Sequence, residues 1–177
     1  MIINSQKRSF GRGAKVSLFT LGTMRATESL EKMYSIIKNA YYVGIDHIET
    51  APSYGDAESL IGNSIKKLAI EENIKEKNWV ITSKVLPKGD FDFLKNNFKK
   101  SLKNLNLEKI NNLAIHGLNL KQHLDWVING EGKKFISWIL EKELVDQVGF
   151  SSHGSYSLIK EQLTVKFLLF VVFIYII

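Results

Sequence analysis

Gly44-Ile-Asp-His-Ile-Glu-Thr-Ala-Pro-Ser-Tyr-Gly-Asp-Ala-Glu-Ser-Leu-Ile-Gly62 is the stretch on which the fold turns. Ile45 and Ile48 mark a short apolar strand, and a carboxylate, Glu49, closes it. Residues 52–55 form a loop carrying a phenol, Tyr54, and a helix opens behind it with Ile61, Ile65 and Leu68 on one face. In a parallel α/β protein, reactive groups are placed at strand ends and in the loops that follow them.

The same unit recurs on both sides. Two extended pieces around Gly11-Arg12-Gly13 predict a β-hairpin over 7–19, and residues 18–21 predict a first buried strand running into Gly22-Thr23-Met24. Thr27 is read as the cap of a helix carrying Leu30, Met33, Ile37, Ala40 and Tyr41, which Gly44 ends. Further on, residues 79–84 predict a third strand, stopped by Pro87 and Gly89. Leu94, Phe98, Leu102 and Leu105 mark the next helix, and 113–116 a fourth strand ended by Gly117. The helical region at 120–144 is broken near Gly130 and Gly132 and reads as one helix or two. Residues 148–152 predict a fifth strand, and Ser155 caps a short helix to about 163.

Strand ends near 24, 49, 84, 116 and 152 are spaced by 25, 35, 32 and 36 residues. A (β/α)₈ barrel of about 250 residues needs roughly 31 residues per unit. The expected fold class is therefore α/β, a TIM-type barrel, with a flavodoxin-like open sheet as the alternative of similar unit length. Gly22-Thr23-Met24-Arg25 lacks the G-x-G-x-x-G turn of a dinucleotide-binding open sheet.

Composition sets bounds. The 177 residues, 45% hydrophobic and 24% charged, suit a single domain over 1–177 with a sizeable core. The net charge of +6 is spread over lysine pairs such as Lys66-Lys67 and Lys133-Lys134, which read as solvated helix faces and not as a nucleic-acid surface. With no cysteine, the chain excludes disulfides, thiolate metal sites and iron–sulfur clusters on itself. No apolar run precedes a cleavage site near the N-terminus, so a cytoplasmic location is expected.

Glu49, Lys84 and His116 end three successive strands, and Tyr54 follows the first of them. In a barrel all four converge at the C-terminal face. Each alone has an ordinary structural explanation; the set, with its flanking strings, does not. The acid–Thr–Ala–x–x–Tyr–Gly run, Ile81-Thr-Ser-Lys84, Asn112-Leu-Ala-Ile-His116-Gly and Gly149-Phe-Ser-Ser-His153 together resemble the aldo/keto reductase family. That resemblance implies a (β/α)₈ barrel of aldo/keto reductase type with a catalytic tetrad at Glu49, Tyr54, Lys84 and His116. It also implies an N-terminal hairpin plugging the barrel floor, and NADPH as cofactor, with Gly22, Thr23, Ser151 and Ser152 beside the nicotinamide. No metal is implied. The expected reaction is reduction of an aldehyde or ketone, with Tyr54 as general acid. Lys84 is expected to lower the phenol from its ordinary value of about 10, Glu49 to hold the ammonium charged, and His116 to orient the carbonyl.

Two departures accompany the resemblance. The acid is Glu49 where most of the family has Asp, one methylene longer. The match also fades after residue 163, so the barrel is expected to be C-terminally truncated with five or six strands, lacking the parts that grip the adenosine phosphate. Eleven apolar residues close the chain from Phe167 to Ile177. They are too few for a membrane span, which takes about 20. They read as a sixth barrel strand or, the reading favoured here, as the end of an interrupted or out-of-frame gene product. The partner expected is a small carbonyl compound. The alternative to an active enzyme is a remnant without turnover, or one piece of a reductase completed by a separately encoded C-terminal fragment.

Overall fold

The computed structural model describes residues 6–26 and 28–172. Thr27, read above as a cap, and residues 173–177 of the apolar tail lie outside the described residues. A two-stranded antiparallel hairpin, β1 (Lys7–Arg8) and β2 (Val16–Ser17), comes first. The chain then enters a parallel sheet of β3 (Thr20–Gly22), β4 (His47–Glu49), β5 (Val80–Val85), β6 (Ile110–Ile115), β7 (Val145–Ser151) and β8 (Leu168–Val172). Between these strands run α1 (Leu30–Tyr42), α2 (Ala57–Glu71), α3 (Phe91–Leu105), the pair α4 (Lys121–Asn129) and α5 (Glu131–Glu141), and α6 (Tyr156–Gln162). Strand order in space equals strand order in the chain. A flavodoxin-like sheet reverses its order at a switch point; this one does not, and it forms six strands of a (β/α)₈ barrel.

Why these segments become these elements is plain from local chemistry. Ser29 caps α1 by accepting from the Lys32 amide at 3.2 Å, and Asp90 caps α3 through the Phe93 amide at 2.9 Å. Ser155 caps α6, as its position before the helix suggested. The doubtful region at 120–144 is two helices, because Gly130 has an extended backbone and serves as the end of one and the start of the next.

Side chains alternate across the strands, and the two faces have different tasks. Ile48, Ile81, Leu113, Ile115, Val148 and Phe150 pack against Met33, Ile37, Ile61, Leu68, Phe98 and Phe135 of the helices in one apolar core. The inward face carries polar groups in rows. His47 is held between Thr20 Oγ1 at 2.9 Å and Thr82 Oγ1 at 2.8 Å. Asn112 donates to Thr82 at 3.1 Å, and Gln147 donates to Asn112 Oδ1 at 2.8 Å. Gln147 also donates to the Phe10 carbonyl at 2.7 Å and accepts from the Arg12 and Gly13 amides at 2.8 and 3.2 Å. One ladder thus crosses five strands and fastens the hairpin to the barrel floor.

Two findings qualify the sequence reading. The first strand is not buried: β3 lies at the sheet edge, with Thr20 and Gly22 exposed. Of the tail readings, the sixth strand describes residues 168–172, paired in parallel with β7 through Val148↔Leu168 and Phe150↔Val171. The register shifts between those pairs. There a Cβ on Gly149 would stand 2.3 Å from the Phe170 carbonyl oxygen, so only glycine admits this approach.

Candidate active site

Pairing continues just past the strand ends and fixes the residues that matter. The Thr50 amide donates to Thr82 O at 2.9 Å, and the His116 amide to Val85 O at 2.7 Å. Behind Glu49, Thr23 gives both its amide and its hydroxyl to the Glu49 carbonyl, at 3.1 and 3.0 Å. Gly22 pairs directly with Glu49 in register. Glu49, Lys84 and Tyr54 are all buried, Lys84 completely.

Lys84 is the centre. Its ammonium touches Glu49 Oε1, donates to Thr50 O at 3.1 Å and donates to the Tyr54 hydroxyl at 2.8 Å. Three protons thus meet three acceptors, which is what a buried ammonium requires. The longer glutamate reaches the lysine, and apart from that contact Oε1 takes no hydrogen bond. Burial alone pushes the Lys84 amine down to about 7. The touching carboxylate works the other way, since an opposite charge favours the charged form. With all three protons placed, we take the ion pair as the state at neutral pH.

Tyr54 differs from expectation. Burial holds its phenol above the ordinary value, where a lowering was expected. The phenol is therefore protonated. Because its oxygen accepts from Lys84, its own hydrogen is directed elsewhere.

His116 sits at the mouth, its ring edge-on to Tyr54 with centroids 5.9 Å apart. Its Nδ1 makes a long contact of 3.4 Å to Ser53 Oγ. Burial first, then the charges of Lys84 and His153, push it down to about 4. It is a neutral hydrogen-bonding imidazole at neutral pH. Next to it, Ser151 Oγ accepts from the Gly117 amide at 3.0 Å. Ser152 Oγ donates to Leu118 O at 2.9 Å and accepts from the Gly154 amide at 3.1 Å.

Open space borders the cluster. One cavity of about 220 Å³ is lined by Pro52, Ser53, Lys84, Phe93 and His116. Another of about 750 Å³ lies along the open edge of the sheet between Gly22, Met24, Arg25, Glu49, Tyr54 and Val172. The sequence singled out Thr23 only for the cofactor and Thr50 not at all; that both anchor this cluster rests on contacts to or from backbone atoms, which no side-chain pattern announces. Buried Glu58, which accepts from Ser83 at 2.8 Å and ties α2 to β5, had only the signal of an acid in the first turn of α2.

Fold and site together define a protein of the (β/α)-barrel class with a tyrosine, a lysine, a carboxylate and a histidine gathered at the C-terminal mouth. The sequence profile of the Aldo/keto reductase family matches residues 19–162, and the chain belongs to that family. An aldose reductase from Encephalitozoon cuniculi is 31% identical over 136 residues, 76% of this chain and 44% of its own length. An aldo-keto reductase from Bacillus halodurans, in its holo form, superposes with a TM-score of 0.79 at 20% identity over 95% of this chain and 57% of its own. One from Brucella melitensis does so with a TM-score of 0.74 at 18% identity, over 95% and 62%. The chain thus spans less than two thirds of the length of each of these relatives.

Proposed function

We propose that this chain carries the proton-handling half of an NADPH-dependent reductase that converts an aldehyde or ketone to an alcohol. The observation that carries this reading is the donation from Lys84 to Tyr54 at 2.8 Å, which leaves a protonated phenol with its hydrogen free to point to the mouth.

A carbonyl oxygen lodged between Tyr54 and His116 accepts a hydrogen bond from each. NADPH, when bound, supplies a hydride to the carbonyl carbon. As negative charge grows on the oxygen, Tyr54 releases its proton to it. The phenolate so formed is stabilised by the Lys84 ammonium, which Glu49 keeps charged and Thr50 O keeps aimed. General acid assistance of this kind contributes roughly 10²–10⁴ in rate. His116, neutral, donates from one ring nitrogen and fixes the carbonyl's direction.

The donor set at the end of β7 suits a nicotinamide carboxamide. Ser151 Oγ accepts from Gly117 N and still has a hydroxyl proton to give. Ser152 Oγ has used its proton on Leu118 O, yet keeps acceptor capacity. A carboxamide offers one acceptor oxygen and one NH₂, which complements that pair. Gly22 and Thr23 lie beside Glu49.

The test is isotopic. NADPH deuterated at the transferring carbon is incubated with the protein and an aromatic aldehyde, and the alcohol is analysed by mass spectrometry. One deuterium on the carbinol carbon is expected. Alcohol without deuterium, or no alcohol from protein that binds NADPH, contradicts the proposal.

A further inference from the structure

Resting on that reading, we propose that the substrate is a carbonyl compound that also bears an anionic group, carboxylate or phosphate, held by Lys88, His123 and His153 beside the reacting carbonyl. A cavity of about 420 Å³ opens next to His116, within the usual size of a small-molecule site. Lys88 lines it from the loop after β5, His123 from the first turn of α4, and His153 from the segment after β7. Three separate segments of the chain bring side chains able to carry positive charge, and no Asp or Glu among the described residues lines the cavity. Concave walls lined by one sign of charge concentrate the field felt by a ligand.

The local bonding leaves these groups available. His123 Nδ1 stands 3.2 Å from the Gly117 carbonyl. A carbonyl only accepts, so Nδ1 carries hydrogen there; Nε2 is the ring atom left for a ligand, and it donates to an anion in the imidazolium form, which carries both ring protons. His153 is held through its backbone, its amide donating to Asn119 Oδ1 at 2.7 Å. Among the acids of neighbouring elements, Glu161 pairs with Lys121, Glu131 with Lys134, and Asp90 accepts from the Phe93 amide, and Asp125 of α4 does not line the cavity. The imidazoles do not make a metal site, since among the described residues no group of three or more His, Cys, Asp or Glu is arranged to hold one.

The pyrophosphate of the dinucleotide is the other source of such an anion, and the experiment separates the two. kcat/KM is measured for para-carboxybenzaldehyde and para-methylbenzaldehyde, similar in shape and different in charge, with the full chain, Lys88→Glu and His153→Gln. NADPH affinity of each protein is measured by fluorescence. The acid is expected to be preferred by roughly tenfold, and each variant to cut that preference by about fivefold or more, a larger change than any in NADPH affinity. Equal kcat/KM for the two aldehydes, a preference that survives Lys88→Glu, or a loss of NADPH affinity in place of a loss of preference overturns the proposal. If neither aldehyde is reduced, the reductase reading fails, and the anion site is then read directly by ligand-observed NMR. Saturable binding of para-toluate but not of para-methylbenzyl alcohol, weakened in Lys88→Glu, supports the site; absence of para-toluate binding overturns it.

Discussion

Lys84 Nζ donates to the Tyr54 hydroxyl at 2.8 Å and also lies 4.5 Å from the centre of the same ring. A fully buried cation therefore depends on a phenol, a carboxylate and a carbonyl for everything that water would otherwise supply. Stability and chemistry are coupled at this point.

Removing that cation leaves Glu49 charged and alone in a dry place. Lys84→Met is expected to destabilise the fold by about 3–5 kcal/mol, the usual result of breaking a buried pair from one side. Glu49→Leu combined with Lys84→Met should cost less than the sum of the two single changes. Urea denaturation of the three variants checks this, and strict additivity would show that the two groups do not act as a pair.

Gly149 faces the Phe170 backbone too closely for a side chain. Gly149→Ala should force β7 and β8 apart and cost about 1–3 kcal/mol. The midpoint of chemical denaturation reads it. A neutral effect would mean that residues 168–172 do not pair with β7 as described.

Gln147 joins the hairpin to the floor through three backbone groups. In Gln147→Leu those groups lose their partner, at about 1–3 kcal/mol for each one left buried and unpaired. Hydrogen exchange at the Arg12 and Gly13 amides should accelerate well beyond that of the β5 and β6 amides. Unchanged protection at Arg12 and Gly13 would show that the hairpin is held by other contacts.

Two imidazoles set a pH dependence. His47 is pushed down to about 4 chiefly by burial, with Arg8 adding to the effect and Asp46 opposing it; His116 is likewise pushed down to about 4. Between about pH 4 and 6.5 the unfolded chain binds protons at these positions and the folded chain does not. Stability therefore falls as the pH drops through that window and levels off below it. His47→Gln should remove about one proton from the uptake on unfolding, measured as the slope of unfolding free energy against pH.

Much of the frame was legible because helical spacing and strand ends are local. Met33, Ile37 and Ala40 face the core as their period demands, and Gly130 breaks the helical region where it stands in the chain. Glu49, Tyr54, Lys84 and His116 could be gathered from strand ends once a barrel was assumed. What local sequence does not carry is desolvation: the direction of the Tyr54 shift depends on how deeply the phenol is buried, and that is set by residues far away in the chain. The ladder from His47 to Gln147 was invisible for a related reason, since its members are single polar residues on separate strands. The tail was ambiguous because a short apolar run reads alike as strand or as stray sequence until β7 offers it a register.

The most direct test of the central claim is steady-state NADPH consumption with an aldehyde, comparing the full chain with Tyr54→Phe. The substitution removes one hydroxyl and keeps the ring, so NADPH affinity should change little, while the buried Lys84 ammonium loses one of its three acceptors, at about 1–3 kcal/mol of stability. With Tyr54 as the proton donor, kcat is expected to fall by roughly 10²–10⁴. A Tyr54→Phe protein that consumes NADPH as fast as the unaltered chain would contradict the account.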